Sequence, residues 1–294
     1  MLTLEAIKAK YRKRDASLYA SEEYLNSLAL LYHDNSKFAS WDLMRQGQLA
    51  EQMNNPYINE RASKPYKVHP GTQFFSFEPY EAVEVNLYPD AHLFELQRHR
   101  RSVRKFQPYS ISMNELYHLL HHAYGITARQ AGEGEAAGNS EWSWRTVPSA
   151  GGLYPLELYV VVLDGQIPKG LYHYCPERNG LELLSQKVDA AAIEQATSAS
   201  SFVDAFKASA VVLTTAVFER TFIKYRERAY RFILQECGSV SQNLSLNAEA
   251  LGLGSCLLGG FMDESVNDLL GVDGVFESIL SVQYIGKNEN DNNT

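Results

Sequence analysis

Two largely apolar segments, residues 156–163 and 209–218, constrain the fold of this chain more than any other feature of its sequence. The first is interrupted only by Glu157, and the second only by Thr214 and Thr215. Both are far shorter than the roughly 20 residues that a membrane-spanning helix needs. Apolar runs of this length are typical of strands that are covered on both faces, so the sequence predicts a sheet buried between other layers.

Local signals predict the remaining elements. Ser112 and Glu115 form a capping box, in which each side chain satisfies a free backbone N–H at the start of a helix that Gly125 ends. Asn179-Gly180 predicts the turn of a hairpin over residues 171–184. Apolar spacing and turn residues predict a helix over 227–251, a helix over 264–270 capped by Asp263, a strand over 278–285 and a mobile loop over 129–140. Helices and strands mix without a regular βα repeat, which predicts an α+β fold.

The distribution of proline divides the chain. A charged segment over residues 4–31 is expected to be helical. The polar, aromatic region after it is interrupted by Pro56, Pro65, Pro70, Pro79 and Pro89. Proline at this frequency blocks long helices and central strands. We therefore expect an N-terminal arm or small subdomain over residues 1–89, a main domain over 90–287 and a disordered tail over 288–294.

The charge balance excludes some partners and isolates one cluster. The 294 residues carry a net charge of -8, which disfavours a general nucleic-acid or anionic-membrane binder. Three cysteines without a CxxC pair suit a reducing compartment, and no apolar segment typical of a signal peptide follows the basic N-terminus. A cytoplasmic protein is expected. Residues 98–105 nevertheless hold five cationic side chains. Arginine forks around a serine match phosphate oxygens, although a solvated helix face has the same composition.

Two glycine-containing segments are candidate ligand contacts. Residues 145–155 place small residues between two prolines, so their backbone can approach a flat ligand and Ser149 can offer a hydroxyl. A tight structural turn before the strand has the same pattern. Residues 251–261 contain Gly259-Gly260, which can present N–H groups to a ligand or make a plain turn. This segment is not GxGxxG and follows a helix, so it is not a Rossmann fingerprint.

Lys224-Tyr225, within residues 222–228, is a candidate base and acid pair if burial lowers the lysine pKa. An exposed start of a helix has the same composition. His118 and His122 share a helix face at metal-ligand spacing, but no HExxH pattern or carboxylate supports a metal there. We interpret them as surface histidines and expect no metal. The absence of a GxSxG elbow and a P-loop excludes serine hydrolase and NTPase functions.

Taken in order, these segments resemble the FMN-dependent nitroreductase superfamily, and most closely its SagB-type branch, the dehydrogenases that form thiazoles and oxazoles in peptides. The resemblance covers residues 90–287 and extends weakly into the arm. It rests on Arg-Arg-Ser-x-Arg-x-Phe at 100–106, Pro-Ser-Ala-Gly-Gly-Leu-Tyr-Pro at 148–155, Lys-Tyr before Glu-Arg-Ala-Tyr-Arg-Phe at 224–232, and Tyr-His-x-x-Ser-Lys at 32–37. It implies a mixed or antiparallel central sheet flanked by helices in a domain-swapped homodimer.

The resemblance also implies cofactor contacts and a reaction. The implied contacts are Arg100, Arg101, Ser102 and Arg104 with the FMN phosphate, ribityl chain and N1/O2 edge; Pro148, Ser149, Ala150 and Gly151 along the isoalloxazine; Gly259 and Gly260 near N5; and Lys287 with the phosphate. In the azole-forming branch, a pair matching Lys224-Tyr225 removes the acidic Cα proton of an azoline while hydride leaves the neighbouring ring carbon for the flavin.

The expected function is therefore an FMN-dependent dehydrogenase that converts azolines in a precursor peptide to azoles, working as a homodimer. Two alternatives remain. One is an NAD(P)H-dependent nitro- or quinone reductase on the same scaffold. The other is a scaffolding subunit of a biosynthetic complex, in which the arm docks a cyclodehydratase.

Overall fold

A computed structural model describes residues 3–5, 26–37, 44–45, 47–48, 51, 55–81, 92–132 and 140–289. The main elements in chain order are α1 (Leu28–Asn35), α2 (Pro56–Ala62), β1 (Gln73–Ser76), α3 (Leu93–His99), β2 (Phe106–Gln107), α4 (Met113–Tyr124), β3 (Ile126–Ala131), β4 (Glu141–Arg145), β5 (Leu156–Val162), β6 (Gly170–Cys175), β7 (Gly180–Ser185), α5 (Ala190–Thr197), β8 (Ala210–Val217), α6 (Glu219–Tyr225), α7 (Ala229–Ala250), β9 (Gly254–Leu258), α8 (Asp263–Leu270) and β10 (Glu277–Asn288). None of the helices in these ranges has the length and apolar character that a membrane span requires.

One antiparallel sheet organises the described residues. Its strands lie in the order β1-β7-β6-β5-β8-β10-β2, and β9 also pairs with β10. All seven residues of β5 are buried, as its continuous apolar sequence predicts. Helices α4 and α7 pack on one face of the sheet and helices α5 and α8 on the other, so the core has two layers of side chains. The expected α+β fold with a central antiparallel sheet and flanking helices is confirmed.

Several local predictions are confirmed. Ser112 and Glu115 form the capping box at the start of α4. Asn179, with a φ of 44°, stands at the turn between β6 and β7. The long helix and the second apolar strand also form within about two residues of their expected bounds.

Other local predictions are wrong. Residues 129–131 belong to β3, which pairs with β4, because backbone pairing across the hairpin compensates for weak apolar periodicity. The helix over 263–270 begins after Met262, and Asp263 is its first residue rather than its cap. The last strand runs to Asn288, and the Glu289 N–H donates to the Lys105 carbonyl, so the ordered chain extends beyond residue 287. The rest of the expected tail, residues 290–294, lies outside the described residues.

The expected arm contributes to the main sheet. Residues Gln73–Ser76 form β1, which pairs with β7 and sits at one edge of the sheet. Backbone hydrogen bonding to β7 thus joins this part of the arm to the main domain. Most of residues 4–31, and the expected boundary at residue 89, lie outside the described residues. The domain division at that boundary stays a prediction.

Candidate functional site

The basic run of residues 100–104 is held against strand β9. The Val103 N–H donates to the Ser255 carbonyl at 2.9 Å, and Ser102 forms a parallel bridge with Ser255. A Cβ on Gly254 would lie 2.6 Å from the Cβ of Val103, so only glycine lets the run pass this close to the strand. The Arg-Arg-Ser segment and the glycine-containing segment after α7 therefore form one local structure.

The guanidinium groups of this run are not neutralised by neighbouring carboxylates. Among the described residues, no carboxylate oxygen lies within 4.0 Å of Arg100, Arg101 or Arg104. Arg101 instead donates to the carbonyl oxygens of Arg98 and Arg100, at 2.7 and 2.9 Å. The Lys287 ammonium lies near the same end of β9, where it donates to the Gly252 carbonyl at 2.5 Å. The local charge is therefore positive in an acidic chain.

Gly259 and Gly260 follow the other end of β9. A Cβ built on either glycine would have no heavy atom within 4 Å among the described residues. This open space lets a flat ligand reach their backbone, whereas larger side chains would fill part of it. The cations and the two glycines thus lie at the two ends of one short strand.

The Pro-Ser-Ala-Gly segment, residues 148–151, forms a tight turn before β5. The Ser149 hydroxyl accepts a hydrogen bond of 2.9 Å from the Tyr154 N–H, which closes the turn. Gly151 and Gly152 have φ values of 65° and 66°, a left-handed conformation that favours glycine. Pro148 and Gly151 are exposed, while Ser149 and Ala150 are partly buried.

Lys224 and Tyr225 form the last two residues of α6 and reach this turn. A Cβ on Gly151 would lie 2.8 Å from the Tyr225 hydroxyl and 3.0 Å from Lys224 Nζ. The helix ends there because Arg226 has a φ of 49°, a strained conformation for a non-glycine residue. Burial raises the pKa of Tyr225, so its phenol is neutral near neutral pH. An amine and a phenol therefore meet at one exposed backbone position.

Arg220 fixes the position of α6 relative to the turn. Its Nη2 donates to Glu157 Oε1 at 2.5 Å, and its Nη1 donates to the Tyr154 carbonyl at 3.2 Å. Burial by itself raises the pKa of Glu157, but Arg220 and His173 outweigh it and lower this pKa to about 2. The charge of Arg220 is thus matched by a buried carboxylate. Its contacts indicate a positioning role between helix, turn and strand.

A buried carboxylate that the sequence analysis missed lies beneath the turn. Glu236 on α7 accepts a hydrogen bond of 2.6 Å from the Tyr124 hydroxyl and is hydrogen-bonded to Ser149. Burial raises the pKa of Glu236 to about 7, although both hydroxyls oppose the shift. The sequence could have indicated this buried carboxylate, because Glu236 is three residues after Ile233 and four before Val240 and so lies on the apolar stripe of the helix.

The N-terminal Tyr-His-x-x-Ser-Lys motif contacts the chain directly after Lys224-Tyr225. The Tyr32 hydroxyl donates to the Glu227 carbonyl at 3.0 Å, and Arg231 Nε donates to the Ser36 hydroxyl at 2.8 Å. The Tyr32 ring also packs edge-on against Tyr230, with 5.6 Å between the ring centroids. Helix α1 is therefore docked on the start of α7.

Most of the predicted site residues form two groups at opposite ends of the sheet, and Gly259 and Gly260 follow Leu258, which lies between these ends at the level of Leu213. Gly254, beside the basic run, pairs with Gly286 of β10. The preceding residue of β10, Ile285, pairs with Ala210 of β8. Leu156, beside the Pro-Ser-Ala-Gly turn, pairs with Ala216. Six residues of β8 separate these levels, which corresponds to about 20 Å along the strand direction. One chain brings Lys224, Tyr225 and the turn together but does not bring them to its own basic run.

Comparison with known families identifies the scaffold on which these groups lie. The family model described as "Nitroreductase family" matches residues 98–287, well over half of the chain. The chain belongs to the nitroreductase family. The resemblance inferred from the four motifs is confirmed, and the chain is by class a flavin-dependent oxidoreductase.

This chain is similar to one relative named as a nitroreductase and to two relatives named as peptide-processing proteins. MJ1384 of Methanocaldococcus jannaschii, provisionally named a nitroreductase, is 36% identical over 173 residues, 58% of this chain and 80% of that protein. The microcin B17-processing protein McbC of Escherichia coli is 30% identical over 48% of this chain and 54% of McbC. The trifolitoxin-processing protein TfxB of Rhizobium leguminosarum is 30% identical over 50% of this chain and 40% of TfxB. The two peptide-processing proteins support the SagB-type branch.

Solved structures agree on the nitroreductase fold. A provisionally named nitroreductase from Anabaena variabilis has a TM-score of 0.65 and 26% identity over 88% of this chain and 46% of its own. A chain of the E. coli microcin synthetase McbBCD complex with truncated pro-MccB17 bound has a TM-score of 0.55 and 23% identity over 99% of both chains. The matched segment spans about half or less of McbC, TfxB and the Anabaena chain.

Proposed function

We propose that this chain is an FMN-dependent dehydrogenase that oxidises thiazolines or oxazolines in a precursor peptide to thiazoles or oxazoles. The observation that carries the proposal is the convergence of Lys224 Nζ and the Tyr225 hydroxyl on the backbone of Gly151. Aromatisation of an azoline requires removal of a Cα proton, which is acidified by the adjacent imine and carbonyl, and a simple flavin reduction of a nitro group does not. A positioned amine and phenol supply the groups for this proton transfer.

The residues of both groups, together with Gly259 and Gly260, fit FMN. Arg100, Arg101 and Arg104 are cations without a carboxylate partner among the described residues, which suits a phosphate. Ser102 and Lys287 lie at the same end of β9, and the open space at Gly259 and Gly260 suits a flat ring. Pro148, Ser149, Ala150 and Gly151 would line the isoalloxazine. When bound, FMN supplies the acceptor for the hydride.

Lys224 and Tyr225 have different roles in this proposal. The raised pKa of Tyr225 keeps its phenol protonated near neutral pH, so it donates a hydrogen bond to the substrate ring rather than accepting the proton. We assign the acceptance of the Cα proton to Lys224 Nζ, which lies 3.0 Å from the Cβ position of Gly151. Arg220 maintains the reach of both side chains by tying α6 to the carbonyl of Tyr154. The backbone of Gly151 leaves the space in which the substrate ring approaches them.

We propose that the working unit is a homodimer. Within one chain, the basic run and the turn of residues 148–151 lie at opposite ends of the sheet, about 20 Å apart along the strands. A cofactor that contacts both groups therefore needs the turn of a second copy. Sedimentation of the flavin-loaded protein is expected to give twice the chain mass of 33.1 kDa, and a flavin-loaded monomer would contradict the shared site.

The peptide substrate is supported by the relatives. McbC and TfxB are named for processing microcin B17 and trifolitoxin, and this chain is 30% identical to each over the matched segments. The arm, whose helix α1 docks on α7, is the proposed contact for a cyclodehydratase, the enzyme that would supply the azoline. The exposed Leu28 on α1 leaves apolar surface for such a contact.

The deciding experiment uses the FMN-reconstituted protein and a synthetic peptide with one thiazoline. We expect a product lighter by two hydrogens in mass spectrometry, and a rate about 10²–10⁴-fold lower in Lys224→Ala with unchanged flavin content. Lys187→Ala, which removes an exposed lysine on another surface, is the matched control and is expected to leave the rate unchanged. Oxidation by Lys224→Ala at the wild-type rate would contradict the proposal.

A second candidate is an NAD(P)H-dependent nitro- or quinone reductase. The 36% identity to MJ1384 over 80% of that protein favours it. It predicts rapid NAD(P)H-dependent reduction of a nitroaromatic compound, with the same rate in Lys224→Ala. The third hypothesis, a scaffolding subunit of a biosynthetic complex, predicts that the purified protein is colourless and does not take up FMN.

A further inference from the structure

A cavity of about 500 Å³ opens beside the turn that Lys224 and Tyr225 reach. Its volume lies within the range of small-molecule sites. Gly151 and Gly152 form one wall, and Trp142 and Trp144 of β4 also line it. A Cβ on Gly152 would lie 3.9 Å from Trp142 Cε3, so the indole stands directly beside the turn. Gly151 thus separates the proposed reacting groups from this cavity.

The two tryptophans lie on one strand and both line the cavity. They are two residues apart in β4, so both indoles lie on the same face of the strand, about 7 Å apart along it. Trp144 is 45% exposed, so part of its indole is accessible to a ligand. Such a surface fits a planar ring, because aromatic stacking adds to the gain from burying the ring.

The remaining lining includes polar but uncharged side chains. Gln130, the cross-strand neighbour of Trp142, contributes an amide, and Ser143 and Asn59 also line the cavity. None of the ten described residues around the cavity is Asp, Glu, Lys, Arg or His. Amides suit the N–H and C=O groups of a peptide backbone, whereas a phosphate or a carboxylate would lack a counter-ion here. The chemistry of the lining therefore selects a neutral, planar and hydrogen-bonding ligand.

We propose that this cavity binds an azole ring of the peptide, stacked on Trp142 and Trp144, next to the azoline that reacts at Lys224 and Tyr225. The inference rests on the proposed function, since it takes the peptide as substrate. It adds that the chain recognises rings already present in the peptide. A peptide with a completed ring beside the reacting one then binds more tightly than a peptide with a single ring.

Fluorescence anisotropy of labelled peptides tests the cavity without turnover. The FMN-loaded protein is titrated with a peptide that carries two neighbouring thiazoles, and with the same peptide in which one thiazole is replaced by cysteine. We expect the two-ring peptide to bind the wild type about tenfold more tightly. Trp142→Leu and Trp144→Leu are expected to remove this preference, and Trp142→Phe and Trp144→Phe to restore most of it. Phe206→Leu, which alters a 58% exposed aromatic residue that does not line the cavity, is the matched control.

The outcomes separate this inference from the proposed function. If the wild type oxidises azolines but the leucine variants keep the tenfold preference, the cavity assignment is wrong and the proposed function stands. If the leucine variants lose flavin, as judged by the visible absorbance per subunit, the cavity holds the cofactor and the assignment is also wrong. If the wild type does not oxidise azolines yet the leucine variants still lose the preference for two rings, the cavity assignment stands and the proposed function fails.

Discussion

The Tyr225 hydroxyl stands 2.8 Å from the point at which a Cβ of residue 151 would lie, so Gly151 is the only residue that fits this contact without displacing the phenol. Lys224 Nζ lies 3.0 Å from the same point. Helix α6 and the turn before β5 are distant in sequence, and this missing Cβ is what allows them to meet.

Gly151→Ala is expected to abolish most of the azoline oxidation and to displace both side chains. The new methyl group would overlap the Tyr225 hydroxyl, and the φ of 65° would add about 1–2 kcal/mol of backbone strain. Gly271→Ala is a close control, because Gly271 has a φ of 70° but no heavy atom within 4 Å of its Cβ position. Both variants are expected to lose similar stability in thermal unfolding. Equal activity in the two variants would show that the contact at residue 151 has no role in the reaction.

The stability of the protein is expected to fall with increasing pH because of Glu236. Burial raises the pKa of this carboxyl from 4.5 to about 7 in the folded chain, so the folded state holds a proton that the unfolded state loses between these values. Below about pH 4.5 the carboxyl is protonated in both states and its ionisation costs no stability. As pH rises towards 7, the free energy of unfolding falls by an amount that reaches roughly 3 kcal/mol.

Glu236→Gln keeps the shape of the side chain and removes its titration. We expect this variant to gain stability relative to the wild type as pH rises from 5 to 8, in urea unfolding at several pH values. Glu249→Gln, on the same helix but only partly buried, is the control and is expected to follow the wild type. A Glu236→Gln difference that does not change with pH would mean that the carboxyl ionises normally.

The fold was predictable where a short segment carries its own signal. Ser112 with Glu115 and Asn179 with Gly180 are local patterns, and the structure forms them where the sequence places them. Strand β9 was missed because Gly254 and its neighbours have no strand pattern of their own. This strand exists because it pairs with β10, far along the chain.

The candidate site also contains residues that the sequence could identify and residues that it could not. The residues in recognisable motifs, such as Lys224 and Tyr225, could be named from the sequence. The residues that hold them in place could not be named, because Arg220 and Glu236 each resemble an ordinary charged residue of a solvated helix. Only the tertiary structure shows that Glu157 faces Arg220 and that Tyr124 faces Glu236. Burial and pairing across different elements are not encoded in the spacing of a single helix.

A chain of buried ionic groups connects Arg220 through Glu157 to His173 and Glu182 in the sheet. His173 lies between two carboxylates, with Nδ1 and Nε2 each 2.9 Å from an oxygen of Glu182 and Glu157. Burial lowers the pKa of His173, but the hydrogen bonds to both carboxylates outweigh it and raise the pKa above 6.5. The histidine therefore stabilises the fold fully below pH 6.5, and this contribution is lost as pH rises through the raised pKa.

His173→Leu is expected to lower the free energy of unfolding by about 3–5 kcal/mol near pH 6, because two buried carboxylates lose their shared cation. The measurement is chemical denaturation of the wild type and the variant. His99→Leu, whose histidine is largely exposed, is expected to change stability by no more than about 0.5 kcal/mol. A His173→Leu protein as stable as His99→Leu would show that the chain of ion pairs contributes nothing net.

The basic run provides a test of the proposed cofactor that does not depend on turnover. Arg100→Ala combined with Arg104→Ala removes two cations that have no carboxylate partner among the described residues, and we expect the double variant to lose most of its bound FMN. Flavin content is read from the visible absorbance of the purified protein, and affinity from quenching of FMN fluorescence. Arg98→Ala is the matched control at the end of α3, just before this run, since Arg98 is already paired with Glu95 at 3.0 Å and the variant is expected to retain flavin. Because removal of a phosphate contact should weaken FMN more than riboflavin, the double variant should lose the preference for FMN. A double variant with wild-type FMN affinity would rule out this run as the phosphate site.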